Sequence, residues 1–158
     1  MKWFKDDGAQ EHDRQLYLQA EAIMGETDFD YFFDTLRTDR AYYTANRGRL
    51  LNYLKMLDSD EFRLHDRRLQ ARLLELQQAL KDLKAHTGAH FLAFPRNQTG
   101  DNIRFCLHPD YFILEANDVS LDEHGFYLKA ERKLGEYVAK AVIRYEAFRT
   151  LAKKKLKP

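Results

Sequence analysis

The sequence predicts an α+β fold, predominantly α: a bundle of four to five helices with a small antiparallel β-meander, about residues 90–116, before a long C-terminal helix. Three observations carry this expectation. The only internal prolines, Pro95 and Pro109, lie with the turn-rich run Pro95–Asn102 in the middle third of the chain, between long proline-free stretches. The apolar period changes from helical to alternating after Gly88 and returns to helical from Ala130. The 158 residues, 44% hydrophobic and 32% charged, fit one domain, 1–158, that buries roughly two-thirds of its unfolded surface.

Asp7-Gly8 opens a first helix to about Met24, with Leu16, Ala20 and Ile23 on one face and Gly25 offering the left-handed position that ends it. Thr27 followed by Asp30 reads as a capping box for a second helix, Asp28–Arg37, dense in aromatics. The pattern restarts at Thr38. Tyr43, Arg47, Leu50, Leu54 and Leu57 recur at helical spacing, and Gly48, about 1 kcal/mol worse than alanine within a helix, marks a break. Asp58 and Glu61 form a further capping box, which places the next helix at about Asp60–His86. There Phe62, Leu69, Leu76 and Leu83 stand seven apart, and Leu73 and Leu80 fill the alternate seam positions. Asp66 falls on the seam where an apolar residue belongs, so this helix is expected to pack inside a bundle rather than form a long coiled coil.

After Gly88, Ile103, Phe105 and Leu107 alternate with Arg104, Cys106 and His108, the pattern of a half-buried strand. His90–Phe94 before it and Tyr111–Ala116 after it complete the expected meander, with turns at Asn97–Asn102 and Pro109-Asp110. The junction 117–129 has two readings. Ser120 and Glu123 suit a capping box, and Val119–Leu121 with Phe126–Leu128 suit a hairpin turned at Glu123-His124-Gly125. From Ala130, Leu134, Val138, Ala141, Tyr145, Phe148 and Ala152 form one helical stripe that ends in the basic run Lys153–Lys157.

Charge is polarised along a chain of formal net charge +1. The first thirty-six residues carry nine acidic and three basic side chains, and Lys129–Pro158 carries ten basic and three acidic ones. Such ends attract each other or an external polyion. The single cysteine, Cys106, excludes an intrachain disulfide and makes a cytoplasmic location the expectation. No run approaches the roughly eighteen apolar residues of a membrane span, so no membrane partner is expected. Glycine-rich phosphate loops, nucleophile elbows and paired-cysteine motifs are missing from the sequence, which argues against an enzyme and predicts no cofactor.

Three sets of side chains are candidates for function. The favoured expectation is a non-enzymatic protein–protein interaction module, an adaptor, regulator or small subunit. It would use exposed faces of the helices at 60–86 and 130–157, and Arg144, Arg149, Lys153, Lys154 and Lys155 would face an acidic partner or a second copy. The alternative is nucleic-acid binding through that basic helix and the segment Arg37, Arg40, Tyr42, Tyr43, Arg47 and Arg49, since guanidinium groups contact phosphates and tyrosines stack on bases. The third is a zinc site at His86, His90, Cys106 and His108, whose nitrogen and sulfur donors suit tetrahedral Zn²⁺. A helix end at Gly88 would spoil the alignment of its first two ligands. Asp30 and Asp34 stand one helical turn apart with Asp28 close by, an arrangement open to a divalent cation or acid–base role, but the preference of a helix N-terminus for negative charge explains Asp28 and Asp30 without one.

Overall fold

The computed structural model describes residues 7–111 and 123–158. Its elements are α1 (Asp7–Ile23), α2 (Glu26–Asp39), β1 (Ala41–Tyr43), α3 (Thr44–Leu57), α4 (Arg67–His90), β2 (Phe91–Ala93), β3 (Arg104–Leu107) and α5 (Glu123–Leu156). The architecture is a predominantly helical α+β fold, with five helices and one small sheet among the described residues. No helix among the described residues is long and apolar enough to cross a membrane.

The bundle is organised around α4 and α5. Contacts at three levels run them antiparallel: Lys155 meets Asp66 at 2.6 Å, Arg144 meets Glu75 at 3.1 Å, and the His86 ring meets the Ala130 carbonyl at 3.0 Å. The leucines of the α4 seam, Leu69 to Leu83, are at most 2% exposed, and the α5 stripe from Leu134 to Ala152 is buried with them in one core. With 34 residues, α5 is about 51 Å long and also borders α1, α2 and β3.

Helix starts depart from the sequence reading through both local caps and distant contacts. Asp58 and Glu61 do not open α4. Asp58 is the C-cap of α3, and its carboxylate accepts hydrogen bonds from Gln77 (2.6 Å) and Lys81 (2.8 Å) on α4. Asp66, the expected seam defect, is the N-cap, and its Oδ1 accepts the N–H groups of Arg68 and Leu69. Gly25 is extended (φ −88°) rather than left-handed. It caps α2, and Asp28 accepts its N–H at 3.0 Å, which replaces the box expected at Thr27 and Asp30. Gly48 lies within an unbroken α3, and Gly88 within an α4 that continues to His90.

The sheet has order β1-β3-β2, antiparallel throughout. Two of the three expected strands are present. The third comes from Ala41–Tyr43, which the sequence reading placed in a helix: Ala41 pairs with Cys106 and Tyr42 with Phe105, while Leu92 also pairs with Cys106. Tyr111 is helical, and the remainder of the expected strand, 112–116, lies outside the described residues. So does 119–121, whereas Phe126–Leu128 are helical within α5, which removes the hairpin reading of the junction. Arg40 turns the chain from α2 into β1 with a left-handed backbone (φ 50°, ψ 44°), and its carbonyl extends the ladder by accepting Leu107 N–H at 2.9 Å. Across the sheet the Tyr42 ring stacks on Phe91 and Phe105, with centroids 5.5 and 5.6 Å away.

Candidate interaction surface

The zinc ligands expected from the sequence are not gathered. Because α4 continues through Gly88, the His86 and His90 rings do lie one turn apart, 4.6 Å between centroids. His86, however, is buried, bonds the Ala130 carbonyl through Nε2 and packs on Tyr137. Burial, reinforced by His90 and Lys133 and opposed by the bond to Ala130, holds its pKa below the ordinary value. His108 stacks on Phe94 at 4.0 Å, and its Nδ1 accepts the Asp110 N–H at 3.1 Å. Cys106 is buried at the centre of the sheet. Burial pushes its thiol pKa up against the pull of Arg104, the wrong direction for a thiolate ligand. Among the described residues no group of three or more His, Cys, Asp or Glu side chains converges to hold a metal.

The arginines and Tyr42 of the Arg/Tyr segment have partners within the chain, at the core for Tyr42 and Arg47 and at the surface for Arg37 and Arg49. Tyr42 is 1% exposed, and its hydroxyl accepts a 2.6 Å hydrogen bond from Arg47, whose guanidinium also lies 5.3 Å over the ring. Arg40 forks onto Glu131 through Nε and Nη2, Arg37 bonds Asp34 at 2.7 Å, and Arg49 lies between Asn46 and Asp28. Tyr43 is half-buried at the end of β1.

The basic side chains of α5 find carboxylates within the chain, at the acidic N-terminal third and on α4. Arg149 pairs with Glu26, Lys153 approaches the same carboxylate at 3.7 Å, Lys155 holds Asp66, and Arg144 shares Glu75 with Arg72. Four of the five side chains expected to meet a partner therefore have carboxylates within the chain. Lys154 enters no ion pair with a described residue.

Lys154 stands at the end of a groove of about 520 Å³ between α4 and α5. Arg68 and Arg72, one turn apart on α4, line it together with Ile143, Ala147 and Leu151, spaced four apart on α5, and with Glu146 and Thr150. Ile143 is 62% exposed, the most exposed of the large apolar side chains described. Small Ala147 between Ile143 and Leu151 leaves a depression. The sequence carried a signal for this lining that went unused: Ile143 and Leu151 are apolar yet lie off the buried stripe of α5.

Beyond Lys154 the surface continues into a cleft of about 780 Å³ at the end of the bundle, bordered by Gln10, Arg14, His65, Lys155 and Lys157. Gln10 and Arg14 of α1 donate to the Lys155 and Leu156 carbonyls at 2.7 and 2.8 Å, satisfying acceptors that a helix C-terminus leaves open.

Comparison with family models, with curated proteins and with solved structures finds no match to this chain.

Proposed function

We propose that this protein is a non-enzymatic cytosolic interaction module, an adaptor, regulator or small subunit, that docks a protein partner on the groove between α4 and α5. The observation that carries the reading is Ile143, largely exposed on an apolar floor and rimmed by Arg68 and Lys154, neither of which pairs with a described carboxylate. An apolar patch bordered by uncompensated charge suits a partner surface: burial supplies affinity, and the charges set register and encounter rate. A reducing compartment suits the lone Cys106, buried in the sheet. Both helices belong to those the sequence singles out, and of the five cations it favoured only Lys154 lines the groove.

Native mass spectrometry of the protein from its own host, with sedimentation velocity at rising concentration, tests this. A stoichiometric complex is expected for the unaltered chain and its loss for Ile143→Asp. A chain that stays monomeric at high concentration and carries no stoichiometric partner would sink the proposal.

A further inference from the structure

The interaction reading above leaves the partner open, and the groove's own chemistry narrows it. We infer that its occupant is an acidic amphipathic helix of a partner protein. The inference rests on that reading and adds the partner's class. Ile143 and Leu151 are eight residues apart on one helix, about 12 Å along its axis, with Ala147 hollowing the space between them. That spacing receives apolar side chains one and two turns apart, the anchors with which a helix lies in a groove.

The rim selects by charge. Arg68 and Lys154 have no described acidic partner, and Glu75 divides one negative charge between Arg72 and Arg144. Glu146 is the only acidic residue lining the groove, against Arg68, Arg72 and Lys154. Lys154 also borders the bundle-end cleft, where Arg14, Lys155 and Lys157 stand with Asp13 and Asp66, and of these cations Lys157 enters no ion pair with a described residue. An occupant with glutamates or aspartates flanking its apolar stripe, and further ones beyond its end, matches this layout.

Two other occupants fit less well. A second copy offering the same groove would bring three cations and the single Glu146 against the same set, so like charges outnumber opposite ones across the face. A nucleic acid would lay phosphates over Ile143 and Leu151, and no aromatic side chain lines the groove as a stacking platform.

The test uses the full chain and defined probes. The first is a fluorescent peptide of about fifteen residues, roughly four helical turns, with leucines at i, i+4 and i+7 and glutamates on both flanks. The others are the same peptide with lysine for glutamate, a scrambled acidic peptide, and a single-stranded oligonucleotide. Anisotropy should show saturable binding of the acidic amphipathic peptide alone, with amide shifts confined to Arg68, Arg72, Ile143–Leu151 and Lys154. Arg68→Glu with Lys154→Glu should weaken it about tenfold or more, equivalent to about 1.4 kcal/mol, and should admit the lysine peptide. Both sites are exposed, so helicity by circular dichroism should be unchanged. If Ile143→Asp perturbs the fold, Ile143→Ser serves in its place.

Equal binding of acidic and basic peptides, shifts elsewhere on the chain, or capture of the oligonucleotide on this face would each overturn the inference. Failure of the acidic peptide while Ile143→Asp still dissolves the native complex removes the partner class and keeps the interaction reading. Failure of both removes both.

Discussion

Asp13 on α1 fixes where α4 begins, because its carboxylate accepts the backbone N–H of Asp66, the α4 N-cap, at 2.9 Å. The other oxygen accepts the N–H of His65 at 2.7 Å, and the side chain that does this is 2% exposed. Asp66 in turn holds Lys155. One buried carboxylate thus ties α1 to the start of α4, and through it to the end of α5. Asp13→Ala should leave two shielded N–H groups without acceptors and cost roughly 2–4 kcal/mol. A thermal midpoint lower by about 5–15 °C is expected. Asp13→Asn should recover little, since its NH₂ group faces one of the two donors. Loss of less than about 0.5 kcal/mol in urea for either variant would show that the pair does not anchor α4.

Mild acid should loosen the α4–α5 contact at His86. The groups facing this ring are the Ala130 carbonyl, His90, Tyr137 and Lys133. The folded pKa lies below the ordinary 6.5, so the unfolded chain takes up a proton near pH 6.5 that the folded chain resists. Stability from this site is complete above pH 6.5 and declines as pH falls toward the folded value. The slope has a ceiling of about 1.4 kcal/mol per pH unit. Urea midpoints between pH 7.5 and 5.5 should fall more steeply in the unaltered chain than in His86→Phe. The other five histidines are common to both proteins, so parallel profiles would refute the assignment.

Strong alkali should act on the opposite side of the molecule's stability range. Tyr17, Tyr53 and Tyr145 border one small internal space together with Phe29 and Arg149. Burial drives all three phenols well above the ordinary value of 10.0, helped at Tyr17 by its hydrogen bond to Glu21 and resisted at Tyr145 by Arg149. A folded pKa raised in this way stabilises below pH 10.0, and that contribution is lost as pH rises further. Of the nine tyrosines, these three should form phenolate only as helical circular dichroism disappears. Reversible ionisation of all nine with the helix signal intact would contradict the packing.

What the sequence made legible follows from the range of each cause. The α5 stripe and the α4 leucines are buried as their spacing requires, because helical period is a local property. The start of α4 was not, since Asp58 and Glu61 satisfy a local capping pattern while the decisive bonds come from Asp13, 53 residues before Asp66. Tyr42 and Tyr43 fit a helix by spacing and became a strand because β3 supplies their partners. Arg149 illustrates the same limit at the surface. A cation expected to meet a partner meets Glu26 instead, a pairing that only the three-dimensional fold brings about. The groove escaped notice for a related reason: Arg68 and Lys154 matter by what they do not contact.

The central strand of the sheet, β3, lies between two strands that precede it in the chain, and α5 follows every other described element. A ribosome therefore releases the acidic helices and the leucine seam of α4 before the basic helix that covers them exists. During that interval the chain carries the surplus negative charge of its first thirty-six residues, and the α4 leucines lack the α5 stripe that buries them. Polarity along the sequence then acts in time as well as in space: emergence of α5 neutralises the charge and covers the seam in one closing event.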